Sequence, residues 1–108
     1  MSQIKEITVQ ELKAMRESKQ EHQLIDVREE SEAEVASING TLIPMGEVPD
    51  RINEIRKDIP VIVHCRSGAR SSSVIQYLQA NHNFTNLFNL KGGILAWAGE
   101  IDHTLSTS

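Results

Sequence analysis

The sequence predicts an α/β domain of three layers, a mainly parallel sheet between two layers of helices. Short apolar runs of strand length recur at Leu24-Ile25-Asp26-Val27-Arg28, Val61-Ile62-Val63 and Leu87-Phe88-Asn89-Leu90. Segments with apolar residues at helical spacing lie between them. The connections are short, and strands that alternate with helices in this way form a parallel sheet covered on both faces.

Each element follows in order. Ile4 to Ile7 make a first strand. Thr8-Val-Gln-Glu11 fits a capping box, in which Thr8 accepts from the new helix's N–H groups and Glu11 reaches back. Leu12 and Met15 give that helix its apolar face, and polar residues Ser18 to His22 form a loop. Leu24 to Arg28 is a buried strand with charge at its carboxyl end. Ligands of open α/β sheets bind beyond the carboxyl ends of strands, which brings Asp26 and Arg28 into consideration. A buried Asp and Arg at a strand end more commonly hydrogen-bond neighbouring loops, and that structural role is the expectation here.

Ser31-Glu-Ala-Glu34 matches a second capping box, opening a helix to about Ser37. Asn39-Gly40 turns the chain, Thr41 to Ile43 is a brief strand closed by Pro44, and Pro49 suits the first turn of a further helix carrying Val48, Ile52 and Ile55. Asp58-Ile59-Pro60 feeds the central strand. A helix from about Ala69 to Ala80 presents Val74, Ile75 and Leu78, with Tyr77 beside them. Lys91-Gly92-Gly93 after the last strand marks a turn where backbone passes close to something. Ile94, Leu95 and Trp97 begin a final helix, with Trp97 a core-capping aromatic. Residues 102–108 are expected to fray.

At 108 residues, one domain spanning 1–108 is expected, with a core that needs no disulfide. The single cysteine rules out an internal disulfide, the start Met-Ser-Gln-Ile-Lys-Glu lacks a signal-peptide core, and no apolar run nears transmembrane length. A cytoplasmic monomer that binds neither membrane nor nucleic acid is the default, given a net charge of −4. His22, His64, His82 and His103 are scattered without ligand-like spacing, so no metal and no cofactor is expected.

The chemistry concentrates in Pro60 to Ser73. The strand ends at Cys65, and a loop of Arg66, Ser67, Gly68, Ala69, Arg70 and Ser71 leads into a helix. The unpaired N–H groups and positive dipole end of that helix favour an anion at the loop's centre. A thiol at its base loses its proton more easily than a free cysteine, helped by those amides and by Arg66 and Arg70. A lone cysteine is commonly just a core residue. Two arginines and a glycine within the five residues after Cys65 are out of place in a core, which favours the functional thiol.

Four ordered blocks then carry a resemblance: Leu24-Ile-Asp-Val-Arg-Glu29, Leu42-Ile-Pro-Met-Gly-Glu47, Val61-Ile-Val-His-Cys-Arg-Ser-Gly-Ala-Arg-Ser71 and Asn89-Leu-Lys-Gly-Gly-Ile-Leu-Ala-Trp97. Over nearly its full length the chain resembles the rhodanese-like sulfurtransferases. Within them it is most similar to the rhodanese domains appended to adenylating enzymes that activate ubiquitin-like sulfur carriers. It lacks a Gly-rich nucleotide fingerprint and looks like the stand-alone version. Ser37-Ile38-Asn39-Gly40-Thr41 is one residue shorter than the family's usual Gly-His-Ile-Pro-Gly-Ala approach, a change confined to a connection.

The resemblance implies a five-stranded parallel sheet and a loop closing on a persulfide-bearing Cys65. Phosphatases on the same fold place Cys-x5-Arg, a ring wide enough for phosphate. Here Cys65 to Arg70 is the shorter Cys-x4-Arg, better matched to the terminal sulfur of a persulfide. The implied reaction moves sulfur from a donor such as thiosulfate through Cys65 to cyanide or a thiol. The amides of Arg66, Ser67, Gly68, Ala69 and Arg70 hold the anionic outer sulfur. Arg66 draws in the donor dianion, while Arg70 braces the loop or the anion. A relay onto a sulfur-carrier protein shares the same chemistry. A phosphatase and a non-enzymatic interaction module remain as rivals on this fold.

Overall fold

The computed structural model describes residues 3–106. Its first strand, β1 (Lys5–Ile7), leads through the Thr8 cap into α1 (Val9–Glu17). The reciprocal capping bonds are both present: Glu11 N–H donates to Thr8 Oγ1 at 3.1 Å, and Thr8 N–H to Glu11 Oε1 at 2.9 Å. β2 (Gln23–Asp26), α2 (Glu30–Val35) and β3 (Thr41–Leu42) follow. After two 3₁₀ turns come β4 (Val61–His64), α3 (Ala69–His82), β5 (Leu87–Leu90) and α4 (Gly93–Glu100).

Two local expectations are corrected. The cap of α2 is Glu29 rather than Ser31, because the Glu32 carboxylate accepts from Glu29 N–H at 3.1 Å; Ser31 lies inside the helix. The segment around Pro49 is not an α-helix but two 3₁₀ turns, Met45–Asp50 and Ile52–Glu54. Pro49 falls inside the first of these rather than at its start. There its missing N–H and its ring prevent an α-helical ladder from forming. Arg51, with φ −127°, separates the two turns.

All five strands are parallel, in the order β1-β5-β4-β2-β3. The alternation of side chains across the pleat sorts the core into two clusters. Ile25, Val27, Val61, Val63, Cys65 and Leu87 face Val74, Ile75 and Leu78 of α3, together with Val48 and Ile55. Leu24, Ile62 and Leu90 face Val9 and Leu12 of α1 and Ile94 and Trp97 of α4. Each fully buried leucine or isoleucine stabilises the fold by about 2 kcal/mol. Trp97 is buried as expected, and the Arg16 guanidinium stacks over its ring at 5.2 Å.

The segment expected to fray makes contacts as far as it is described. Asp102 N–H donates to Trp97 O at 2.9 Å, and Leu105 packs on the α1–α4 cluster. Residues 107 and 108, like Met1 and Ser2, lie outside the described residues. Among the described residues no helix is long and apolar enough to cross a membrane.

Candidate active site

β4 is the central strand, so its carboxyl end opens at the middle of the sheet. Cys65 follows it directly and is 1% exposed. The chain reverses over Arg66, Ser67 and Gly68 and enters α3 at Ala69. Gly68 makes this possible with φ +115°, a region that L side chains rarely enter. In that conformation Gly68 N–H points back and donates to Cys65 Sγ at 3.1 Å. The loop is an inward-facing amide cradle with sulfur at its base.

The cradle is held from outside by α4. Ile94 N–H donates to Cys65 O at 3.0 Å and Leu95 N–H to Arg66 O at 3.1 Å. The otherwise unpaired donors of one helix start therefore fix the carbonyls of the Cys65 loop, leaving its own N–H groups turned inward. Gly93 is the close approach expected from the sequence. A Cβ there would meet Arg66 O at 2.5 Å and Cys65 O at 2.6 Å.

Cys65 Sγ also lies 3.5 Å from Ser71 Oγ. Burial pushes the thiol up, but the Ser71 hydroxyl and the N–H groups of Ser71, Gly68 and Ser67 outweigh it, so the thiol sits below the ordinary cysteine value. Ser71 was outside the expected binding set, and so was Asn89, which bonds Ser71 and Gly68 O. Two signals pointed to them: Ser71 directly follows Arg70, and Asn89 is a polar residue on a strand otherwise apolar. Asn89 pairs with Val63 in the β4–β5 register and so shares the face on which Cys65 packs.

Of the expected loop residues, Arg66, Ser67 and Ala69 are exposed, while Gly68 and Arg70 are half-buried. Arg70 reaches α2, donating to both Glu32 oxygens at 2.6 and 2.9 Å. That guanidinium holds the Glu32 carboxyl down at about 2. Arg66 lines an open pocket of about 280 Å³ with Arg28, Glu32, Val35 and Ile94.

Asp26 and Arg28 form a buried pair on the other face of the sheet. Arg28 Nε and Nη2 donate to Asp26 at 3.0 and 2.8 Å, and Nη2 also reaches Ala36 O at 2.7 Å. His64 shares this face, 3.9 Å from Asp26 Oδ2 through Nε2. Its Nδ1 lies 3.2 Å from Cys65 O and acts as the donor. Burial pushes the imidazole down, partly opposed by Asp26, so it stays neutral.

Known proteins resemble this chain over most of its length. A Bacillus subtilis (strain 168) protein, YqhL, is 45% identical over 80 residues, covering 73% of this chain and 63% of that protein. The putative sulfurtransferase YtwF of the same organism is 39% identical over 99 residues, covering 91% of this chain and 94% of that protein. The adenylyltransferase and sulfurtransferase MOCS3 of Drosophila willistoni is 33% identical over 92 residues, which is 77% of this chain and 20% of that protein. The crystal structure of a rhodanese-like domain protein from Staphylococcus aureus superposes with a TM-score of 0.81 at 34% identity, covering 97% of this chain and 99% of that one. The profile of the rhodanese-like domain matches residues 8–100, and with the Cys65 loop and its parallel sheet this places the chain in the rhodanese-like sulfurtransferase family.

Proposed function

We propose that the protein transfers a sulfane sulfur, with Cys65 as the group that carries it. One observation bears most of the weight: Gly68 N–H stands 3.1 Å from Sγ inside a loop closed in Cys-x4-Arg. An amide cradle of this size stabilises a thiolate and then a single anionic sulfur beyond it.

In the first step the Cys65 thiolate attacks the outer sulfur of thiosulfate. The new Sγ–S bond forms, the S–S bond of thiosulfate breaks, and its electron pair leaves with sulfite. Cyanide or a thiolate then attacks the outer sulfur. The Sγ–S bond breaks, its electron pair returns to Sγ, and thiocyanate or a new persulfide departs. Each step conserves charge and needs no redox partner. Arg66, lining the pocket beside the loop, draws in the dianionic donor.

Intact mass after thiosulfate treatment is expected to rise by one sulfur, and Cys65→Ser is expected to abolish both this gain and thiocyanate formation. Substantial turnover by that variant, or turnover of an aryl phosphate in place of sulfur transfer, would overturn the assignment.

A second reading, a relay to a protein acceptor, is favoured by the likeness to the MOCS3 protein, whose name joins sulfurtransferase to adenylyltransferase. Faster single-turnover transfer to a purified ubiquitin-like sulfur carrier than to cyanide supports the relay. Transfer to small acceptors alone counts against it.

A further inference from the structure

One buried hydroxyl beside the sulfur has more partners than protons. Ser71 is 0% exposed and Asn89 5%. Ser71 Oγ lies 2.6 Å from Asn89 Oδ1, 3.2 Å from Gly68 O and 3.5 Å from Cys65 Sγ. A serine hydroxyl has a single proton and two lone pairs. The Asn89 amide has one orientation here, because its Nδ2 donates to Gly68 O at 3.1 Å and so leaves Oδ1 to Ser71. Three acceptors thus compete for one proton, and the shortest contact is to Asn89.

The charge on Sγ decides the competition. A protonated or sulfur-bearing Sγ needs no donor, and the Ser71 proton then rests on Asn89 Oδ1. A negative Sγ is the stronger acceptor, since hydrogen bonds to ionised groups are the stronger ones. The Gly68 N–H cannot make this adjustment, because its direction is set by the backbone. We infer that Ser71 is a catalytic residue whose hydroxyl proton turns from Asn89 to Cys65 Sγ whenever that sulfur becomes negative, with Asn89 as the positioning residue that holds it between times. This rests on the sulfur-transfer reading. It applies to the free thiolate and to the second transfer, when the Sγ–S bond breaks and its electron pair settles on Sγ.

The charged neighbours are few. Arg70 on α3 favours the thiolate, and Arg66 flanks it on the loop. Asn89 is the facing polar group from β5, and α4 contributes amides to the Cys65 and Arg66 carbonyls. From β2 and β4, Asp26 and His64 lie on the opposite face, the first paired with Arg28 and the second neutral.

Two readouts separate this inference from the sulfur-transfer reading. The pH profile of Cys65 alkylation by iodoacetamide needs no sulfur chemistry. Ser71→Ala is expected to move its midpoint upward, making alkylation about ten-fold slower below the midpoint, the size of one charged hydrogen bond. Ser71→Thr, which keeps the hydroxyl, is expected to restore the profile. Emptying of the preloaded persulfide by cyanide is expected to slow by a similar factor in Ser71→Ala. Asn89→Leu is expected to shift the profile of the parent protein and to add nothing to that of Ser71→Ala.

An unmoved profile in Ser71→Ala overturns the catalytic assignment, and an additive Asn89→Leu effect overturns the pairing. A shifted alkylation profile in a protein that takes up no sulfur leaves the Ser71 contact standing while the sulfur-transfer reading falls.

Discussion

Two polar clusters sit back to back on the carboxyl ends of the central strands. On the α3 face Ser71 and Asn89 are neutral: the Ser71 hydroxyl and the Gly68 amide reach one sulfur, and Asn89 holds Ser71 and the Gly68 carbonyl. On the opposite face Asp26 and Arg28 carry the charge beside a neutral His64, yet they close on each other and on the Ala36 carbonyl. Charge alone is therefore a poor guide to chemistry. A buried ion pair that satisfies itself is architecture, whereas neutral dipoles aimed at one ionisable atom prepare it to react.

The largest effect is expected from breaking the charged cluster. Asp26→Ala leaves the Arg28 guanidinium buried without its counter-ion, a loss of about 3–5 kcal/mol. A thermal melt is expected to show it, while the molecules that remain folded keep the parent's Cys65 alkylation profile. A changed profile would mean that the two faces are coupled. Gly93→Ala strikes the sulfur face from outside, placing a Cβ within 2.7 Å of Arg66 C at φ +59°. Strain of about 1–3 kcal/mol is expected, along with a raised alkylation midpoint, because the loop carbonyls lose their α4 donors.

Glu32→Gln is a milder probe. It weakens a half-buried pair, so only about 1 kcal/mol of stability is expected to go. The same pair predicts an acid limb. Glu32 is held at about 2 against an ordinary 4.5, so its contribution is complete above 4.5 and is lost as pH falls toward 2. Chemical denaturation across that range, in the parent and in Glu32→Gln, tests it through the difference in slope.

His64 supplies the smallest signal. Its pKa in the folded protein lies below the ordinary 6.5, so below that pH the unfolded chain binds a proton that the folded one refuses. Stability is expected to fall as pH drops beneath 6.5, and His64→Leu is expected to flatten that part of the curve. An unchanged slope would mean that His64 carries its proton in the folded state.

Much of this was legible in the residues themselves. The short apolar runs, the Thr8–Glu11 box, the strand–Cys65–loop–helix order and the close approach at Gly93 are all local patterns, and local patterns survive in a linear sequence. The α2 cap lies two residues before the one the sequence suggests, because Ser31-Glu34 fits the Ser/Thr-x-x-Glu pattern and Glu29-Glu32 does not. The choice went to Glu32, whose carboxylate also takes Arg70, 38 residues further on. The same kind of local rule puts Pro49 at a helix start, whereas Pro49 lies inside a short 3₁₀ turn.

What only the tertiary structure decided is which distant groups brace the loop around the sulfur. The residue types near Cys65 are what point to an anion in its loop. The β4–β5 register brought Asn89 to Ser71, and α4 docked its first amides on the Cys65 and Arg66 carbonyls. Both contacts are made across the sheet and between elements far apart in the chain, and their geometry exists only once the strands have paired and the loop has closed.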